Sequence, residues 1–157
     1  NAALSAESVV AADISPLALK NVERNAGLNG IKNIRTVCGD VFSLLREYRA
    51  AGEKFSLVVL DPPAFCKSAA EVRDALRGYK DINIQAMKLI ETGGFLATCS
   101  CSQHMTPTLF ERMLAEAAKE SGRRVRFLET RGQAPDHPVL LNEDETRYLK
   151  FYILQIL

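Results

Sequence analysis

Short apolar runs that end on an acid or a turn residue alternate in this chain with longer stretches of helical periodicity, and that alternation restricts the fold most. Val9-Val10-Ala11-Ala12 ends at Asp13, Asn33 to Val37 runs into Cys38-Gly39-Asp40, and Phe55 to Leu60 ends at Asp61-Pro62-Pro63. Gly94 to Cys99 runs on into Ser100-Cys101-Ser102, and Val125 to Glu129 is a further run. Tyr148 to Ile156 closes the chain, alternating Tyr148, Lys150 and Tyr152 against Leu149, Phe151 and Ile153. Strands separated by helices predict an α/β fold with a mostly parallel, twisted sheet and helices on both faces.

The helical stretches carry their own punctuation. Ser15-Pro16 opens one, with Ser as N-cap and Pro in the first turn, running through Leu17, Leu19 and Val22 towards Asn25. Val41 to Ala51 is a second, ended by Gly52. Ala70 to Glu91 reads as two helical pieces broken near Gly78, the second stopped by Thr92-Gly93-Gly94. Thr106-Pro107 caps another that passes Phe110, Met113, Leu114 and Ala117 to Gly122. With no repeat, low-complexity tract or linker, the whole of residues 1–157 reads as one domain. Asn1 to Ser8 reads as the tail of a helix, and no initiator Met precedes it. The first strand and glycine-rich turn of a doubly wound sheet are therefore expected outside this chain, and with them part of a nucleotide site.

Composition narrows the partners. The chain is 47% hydrophobic, enough for a packed core, and its 20 Lys and Arg against 19 Asp and Glu leave a formal charge of +1. Any polyanionic partner must then be bound by a local site rather than by a global field. No apolar run approaches the roughly 20 residues of a membrane span, and the start lacks a basic region leading into an apolar stretch, so no secretory signal is read. Four cysteines (Cys38, Cys66, Cys99 and Cys101) are too few for a disulfide scaffold. With no Cys-x-x-Cys and only His104 and His137, a zinc site is not expected. A reduced, cytoplasmic protein is the reading.

Ligands of open α/β sheets bind at the carboxyl ends of the strands, and Asp13, Asp40 and Asp61 fall there. An acid at such an end can take ribose hydroxyls in a bidentate bond, and Asp40 after Gly39 can take an adenine amino group; each can equally cap the following helix. Asp61-Pro62-Pro63-Ala64-Phe65 is more pointed: two prolines hold the loop stiffly extended, and Phe65 either stacks on a planar group or packs inward. Ser100-Cys101-Ser102 ends the next strand, where a thiol can act as nucleophile or remain a small buried hydrophobe. Cys99 and Cys101 share a strand face, so parity does not separate them. Cys38 and Cys66 read as small buried hydrophobes. Lys67, Arg73, Arg77 and Lys80 form either a phosphate-binding rim or a solvated helix face. His137, in Asp136-His137-Pro138, is either a general acid or base or a loop anchor.

Taken together and in order, Asp13-Ile14-Ser15-Pro16, Gly39-Asp40, Asp61-Pro62-Pro63-Ala64-Phe65, Arg77-Gly78-Tyr79-Lys80-Asp81-Ile82-Asn83, Ser100-Cys101-Ser102 and Asp136-His137-Pro138 carry a family likeness. The chain resembles the catalytic domain of the bacterial ribosomal RNA large-subunit methyltransferase I family, which uses S-adenosyl-L-methionine to methylate carbon-5 of cytosine. The resemblance implies a Rossmann-like class I methyltransferase fold lacking its first strand and glycine-rich loop. It implies Asp13 with Ile14, Asp40 with Val41, and Asp61 with Pro62 as contacts to the methyl donor, and Cys101 with Asp61 as catalytic residues. Phe65, Tyr79, Lys80 and His137 are implied as contacts to the RNA. Ribosomal RNA is the implied partner, with no membrane role; a homodimer is compatible with it. Counting from Gly93-Gly94, Cys101 rather than Cys99 falls at the family's nucleophile position, although Thr98-Cys99-Ser100 matches the signature of related RNA cytosine methyltransferases. A guanine-nitrogen methyltransferase of RNA, which needs no cysteine, and a non-catalytic binding module are the competing expectations.

Overall fold

The structure, a computed structural model, describes residues 1–66, 68–143 and 146–157. Lys67, one of the four cations expected at a phosphate rim, lies outside the described residues. The chain divides into two compact units, Asn1–Glu47 and Tyr48–Leu157.

In the first unit a 3-10 turn at Ala2–Leu4, rather than the expected helix tail, leads to β1 (Val9–Asp13), α1 (Pro16–Leu28) and β2 (Ile34–Cys38). α2 (Val41–Ala50) begins in this unit and carries the chain onward. The two strands pair in parallel, Val9 opposite Ile34 through Asp13 opposite Cys38. The expected punctuation of α1 is present: Ser15 Oγ accepts from Ala18 N–H at 3.3 Å and Pro16 occupies the first turn. The Asn33 side chain donates to Ala3 O and Ala6 O at 2.9 and 2.8 Å, fixing the opening segment against the start of β2.

The second unit contains β3 (Phe55–Leu60), α3 (Val72–Leu89), β4 (Ile90–Ser100), α4 (Pro107–Ser121), β5 (Val125–Arg131) and β6 (Lys150–Ile156). Its sheet has the order β3-β4-β6-β5. β3 and β4 run parallel, β6 runs against β4, and β5 runs against β6, so three of the four strands share one direction. The core lies between this sheet and the two helices, with Tyr79, Ile82, Met87, Leu96, Phe110, Tyr152 and Ile156 at most 2% exposed.

Two expectations about α3 and β4 are corrected. The helix runs unbroken through Gly78, because Ala75, Tyr79, Ile82, Ala86 and Leu89 form one buried stripe across it. A helical glycine costs about 1 kcal/mol against alanine, whereas each large apolar side chain in that stripe contributes about 1.5–3 kcal/mol on burial. Packing wins. Nor does Thr92-Gly93-Gly94 stop a helix; it lies within β4, in a bulge where the register passes from Phe55–Ile90 to Leu57–Phe95. Gly93 adopts φ +90°, and a Cβ on Gly94 would stand 2.7 Å from Ser56 O. Glycine is needed at both positions for the bulge, not for a cap.

Among the described residues no helix is long and apolar enough to cross a membrane.

Candidate active site

Within the second unit, parallel pairing of Leu60 with Thr98 brings Asp61 and Cys99 alongside each other just beyond the paired ends. The Cys99 thiol donates to Asp61 Oδ1 at 3.0 Å and lies 3.4 Å from Leu60 O. Five residues on, Cys66 N–H donates to Ser102 Oγ at 3.2 Å. The 61–66 loop is thus stapled to the end of β4 at two points, with Ser100 and Cys101 between them. Cys66 itself is buried, its thiol donating to Ser68 O at 3.1 Å. Pro62 and Phe65 are half-buried, while Asp61 is exposed.

A hydroxyl network supports the strand end from below. Ser100 Oγ donates to Tyr79 Oη at 2.9 Å, and Tyr79 Oη and Ser102 Oγ are 3.0 Å apart. Tyr79 is fully buried, with its ring 4.7 Å from that of Phe65 and edge-on to Phe110 at 5.5 Å. It holds Ser100 and Ser102 rather than presenting a face to solvent. Phe65, lying on Tyr79, is the more exposed ring of the two.

The two neighbouring thiols differ in environment. Burial and then the hydrogen bond and charge of Asp61 push the Cys99 thiol up to about 12, so Cys99 is a protonated donor at neutral pH. Cys101, past the last residue of β4, is partly exposed. Burial followed by the charge of Glu71 also raises the Cys66 thiol. All four cysteines are free thiols. Cys38, expected in the interior, is exposed, because β2 ends there and its thiol only reaches Ile14 O at 3.6 Å.

Lys150 escaped the sequence reading. It is paired with Ser100 across β4 and β6, is 4% exposed, and donates from Nζ to Ser102 O and Tyr148 O, both at 2.6 Å. Burial lowers its ammonium to about 8, against the opposing influence of Cys101 and Cys66. A signal was present: in β6 Lys150 shares the buried phase of Tyr152, Leu154 and Ile156.

Of the remaining expected substrate contacts, Lys80 lies on α3 and His137 in the segment between β5 and β6. Lys80 donates to Glu120 Oε1 at 2.8 Å and stands 3.7 Å from Glu116 Oε2, so α4 acids accompany its charge. Arg77 pairs with Asp74 at 3.2 Å on the same helix. His137 is exposed, its N–H donating to Ala134 O and its ring 6.3 Å from that of Tyr148.

In the first unit, Asp13 and Asp40 share the carboxyl edge of the strand pair, where Gly39 N–H donates to Asp13 O at 3.1 Å. Asp40 caps α2 as anticipated, its Oδ2 accepting from Ser43 N–H and Oγ–H at 3.0 and 3.1 Å, whereas Asp13 Oδ1 accepts at 2.7 Å from the N–H of Ser15, which is itself the cap of α1. Each of these contacts uses a single carboxylate oxygen. Ile14, beside Asp13, is 72% exposed, and Val41 is half-buried.

Known proteins are similar to this chain in sequence and in fold. Ribosomal RNA large subunit methyltransferase I of Aeromonas salmonicida is 47% identical over 152 residues, which are 96% of this chain and 38% of that protein. Its namesake in Pseudoalteromonas atlantica is 44% identical over 157 residues, 99% of this chain and 40% of that protein. The chain is a relative of ribosomal RNA large subunit methyltransferase I. It spans about two fifths of the length of these methyltransferase I proteins.

The crystal structure of SMU.776 complexed with SAH matches the fold with a TM-score of 0.83 at 17% identity, covering 96% of this chain and 39% of that one. The class I methyltransferase fold expected from the methyltransferase I likeness is therefore the observed one. A family model described as RNA cap guanine-N2 methyltransferase also matches, over residues 1–68. That match ends before β4, so it covers Asp13, Asp40 and Asp61 but not the strand that carries Cys99 and Cys101.

Proposed function

We propose that the chain is the catalytic part of an S-adenosyl-L-methionine-dependent methyltransferase acting on carbon-5 of a cytosine in large-subunit ribosomal RNA, with Cys101 as nucleophile. The observation that carries the reading is the double staple of the 61–66 loop around Cys101, through Asp61 to Cys99 and through Cys66 to Ser102. It leaves Cys101 as the partly exposed thiol at that strand end, with Cys99 protonated and committed to Asp61.

The first unit suits the donor. An exposed acid at a strand end accepts a ribose diol, an exposed isoleucine beside it packs on a flat base, and a second acid on the same edge can take an amino group. Asp13, Ile14 and Asp40 meet that description, with Val41 next to Asp40. In the second unit, Asp61 and Pro62 begin the loop to which the resemblance assigns further donor contacts. When bound, the donor supplies a methyl group on a sulfonium sulfur.

Carbon-5 of cytosine is a weak nucleophile while the ring is conjugated. Addition of the Cys101 thiolate at carbon-6 forms a C–S bond and moves the ring electrons so that carbon-5 becomes an enamine carbon able to accept that methyl. Asp61 hydrogen-bonds the ring edge as charge develops there. Loss of the carbon-5 proton then returns its electron pair to the ring, the C–S bond breaks, and the thiolate is restored. The base must leave its stack to reach the sulfur, and Phe65, on its Tyr79 support, offers a ring to receive it.

The family-model match favours a second reading, methylation of a guanine nitrogen. A nitrogen lone pair needs no covalent activation, so that chemistry gives Cys101 no task. Mass analysis of nucleosides from large-subunit ribosomal RNA treated with donor and the protein that carries this chain separates the two. Formation of 5-methylcytidine, lost in Cys101→Ala and retained in Cys99→Ala, supports the proposal; methylguanosine made equally well by Cys101→Ala overturns it.

A further inference from the structure

Lys150 is a buried cation whose described partners are neutral. Its Nζ donates to two backbone carbonyls, Ser102 O and Tyr148 O, and among the described residues no carboxylate forms an ion pair with it. An ammonium left in the interior without a counter-charge is costly. Joining two carbonyls does not by itself require a charge. Lys150 is paired with Ser100 across the sheet and bonds the carbonyl of Ser102, so the residue between these two, Cys101, is flanked on both sides by its contacts.

We propose that Lys150 is a positioning residue for Cys101: it clamps the carbonyl that follows the cysteine and holds a positive charge beside its sulfur, favouring the thiolate that attacks the base. The inference rests on the reading of Cys101 as nucleophile and goes beyond it by naming what activates that thiol. The groups that face Lys150 sort in favour of Cys101. Cys66 is buried, donates its proton to Ser68 O, and is held neutral further by the nearby charge of Glu71. Tyr79 reaches the cluster through Ser102 and is engaged with two serine hydroxyls. The Ser102 and Tyr148 carbonyls do not titrate. Cys101 remains as the partly exposed thiol, flanked by the two residues that Lys150 engages. Burial holds the lysine near 8, so its charge is present at neutral pH and fades above that.

The test is the rate of Cys101 alkylation by iodoacetamide between pH 6 and 9.5, read by peptide mass mapping in the unmodified protein, Lys150→Met and Lys150→Arg. Exposed Cys38 serves as the internal reference. Lys150→Met should slow Cys101 about tenfold at pH 7 and move its pH profile up by about one unit. Lys150→Arg should restore most of the rate, and Cys38 should be the same in all three. An unchanged Cys101 profile in a folded Lys150→Met overturns the proposal. Should Lys150→Met fail to fold, the reciprocal measurement uses Cys101→Ser and follows Lys150 Cε by NMR: its titration should fall to lower pH, and an unmoved titration overturns the proposal equally. Alkylation requires neither RNA nor donor. Methylation that survives Cys101→Ala would therefore defeat the nucleophile reading while leaving the Lys150 coupling measurable on its own.

Discussion

The Cys99 thiol donates to the Asp61 carboxylate at 3.0 Å, which ties the first residue of the proline loop to the neighbouring strand and leaves the next cysteine on that strand outside the bond. On the proposed reading the two cysteines have different work. Cys99→Ala should lower stability by about 1–2 kcal/mol, from one lost charge-accepted hydrogen bond and a small cavity, while methylation persists. Urea denaturation and a methylation assay check both halves. Loss of all product in a folded Cys99→Ala would move the nucleophile to Cys99.

Tyr79 is predicted to act as a prop. Tyr79→Phe removes only the hydroxyl that bridges Ser100 and Ser102, and two buried serine hydroxyls lose that partner. A loss of about 1–2 kcal/mol in denaturant unfolding is expected, with Cys101 alkylation altered because the strand end loosens. If Tyr79 instead contacted RNA directly, Tyr79→Phe would leave unfolding unchanged and weaken only RNA binding.

Lys150 makes a signed prediction for stability against pH. Its folded ammonium lies near 8, below the ordinary lysine value, so the unfolded chain holds the extra proton between about 8 and 10.5. Below 8 the folded state carries the full cost of the buried charge; the cost is relieved as pH rises through that window. Stability of the native protein should therefore gain on Lys150→Met between pH 7.5 and 10, by on the order of 2 kcal/mol. Cys99, raised to about 12, acts in the opposite sense above its unfolded value but is present in both proteins and cancels in the difference. A pH-independent gap between the two proteins in urea unfolding would contradict this.

Asp13→Asn separates the Ser15 contact from donor binding. Asparagine can still accept from Ser15 N–H, so α1 should be unaffected by circular dichroism. The charge that would hold a ribose diol is lost, and calorimetric affinity for S-adenosyl-L-methionine should fall about tenfold or more. Equal affinity would place the donor elsewhere.

Much of this was legible in the sequence because sequential strands in α/β folds pair as neighbours. Phe55–Leu60 and the run into Ser100 were readable as strands, and their parallel pairing puts Asp61 beside the cysteine pair. Which cysteine meets Asp61 was not legible, since strand alternation assigns Cys99 and Cys101 the same face and only the Leu60–Thr98 register decides. Gly78 read as a break because local propensity carries no knowledge of the stripe from Ala75 to Leu89 that overrides it. Lys80 read as part of a phosphate rim or of a solvated helix face because its partners Glu116 and Glu120 stand on another helix, some 40 residues away in sequence. Lys150 read as one polar position in an alternating strand; that its phase is the buried one follows from Tyr152, Leu154 and Ile156 on the same face, which enter the core.

The most direct measurement is a trap on large-subunit ribosomal RNA that contains 5-fluorocytidine. Fluorine in place of the carbon-5 hydrogen cannot depart as a proton does, so after methyl transfer the bond from sulfur to carbon-6 persists. Incubation with donor followed by peptide mapping should show RNA joined to the peptide that bears Cys101. A conjugate on Cys99, or methylated RNA with no protein–RNA conjugate at all, would contradict the account.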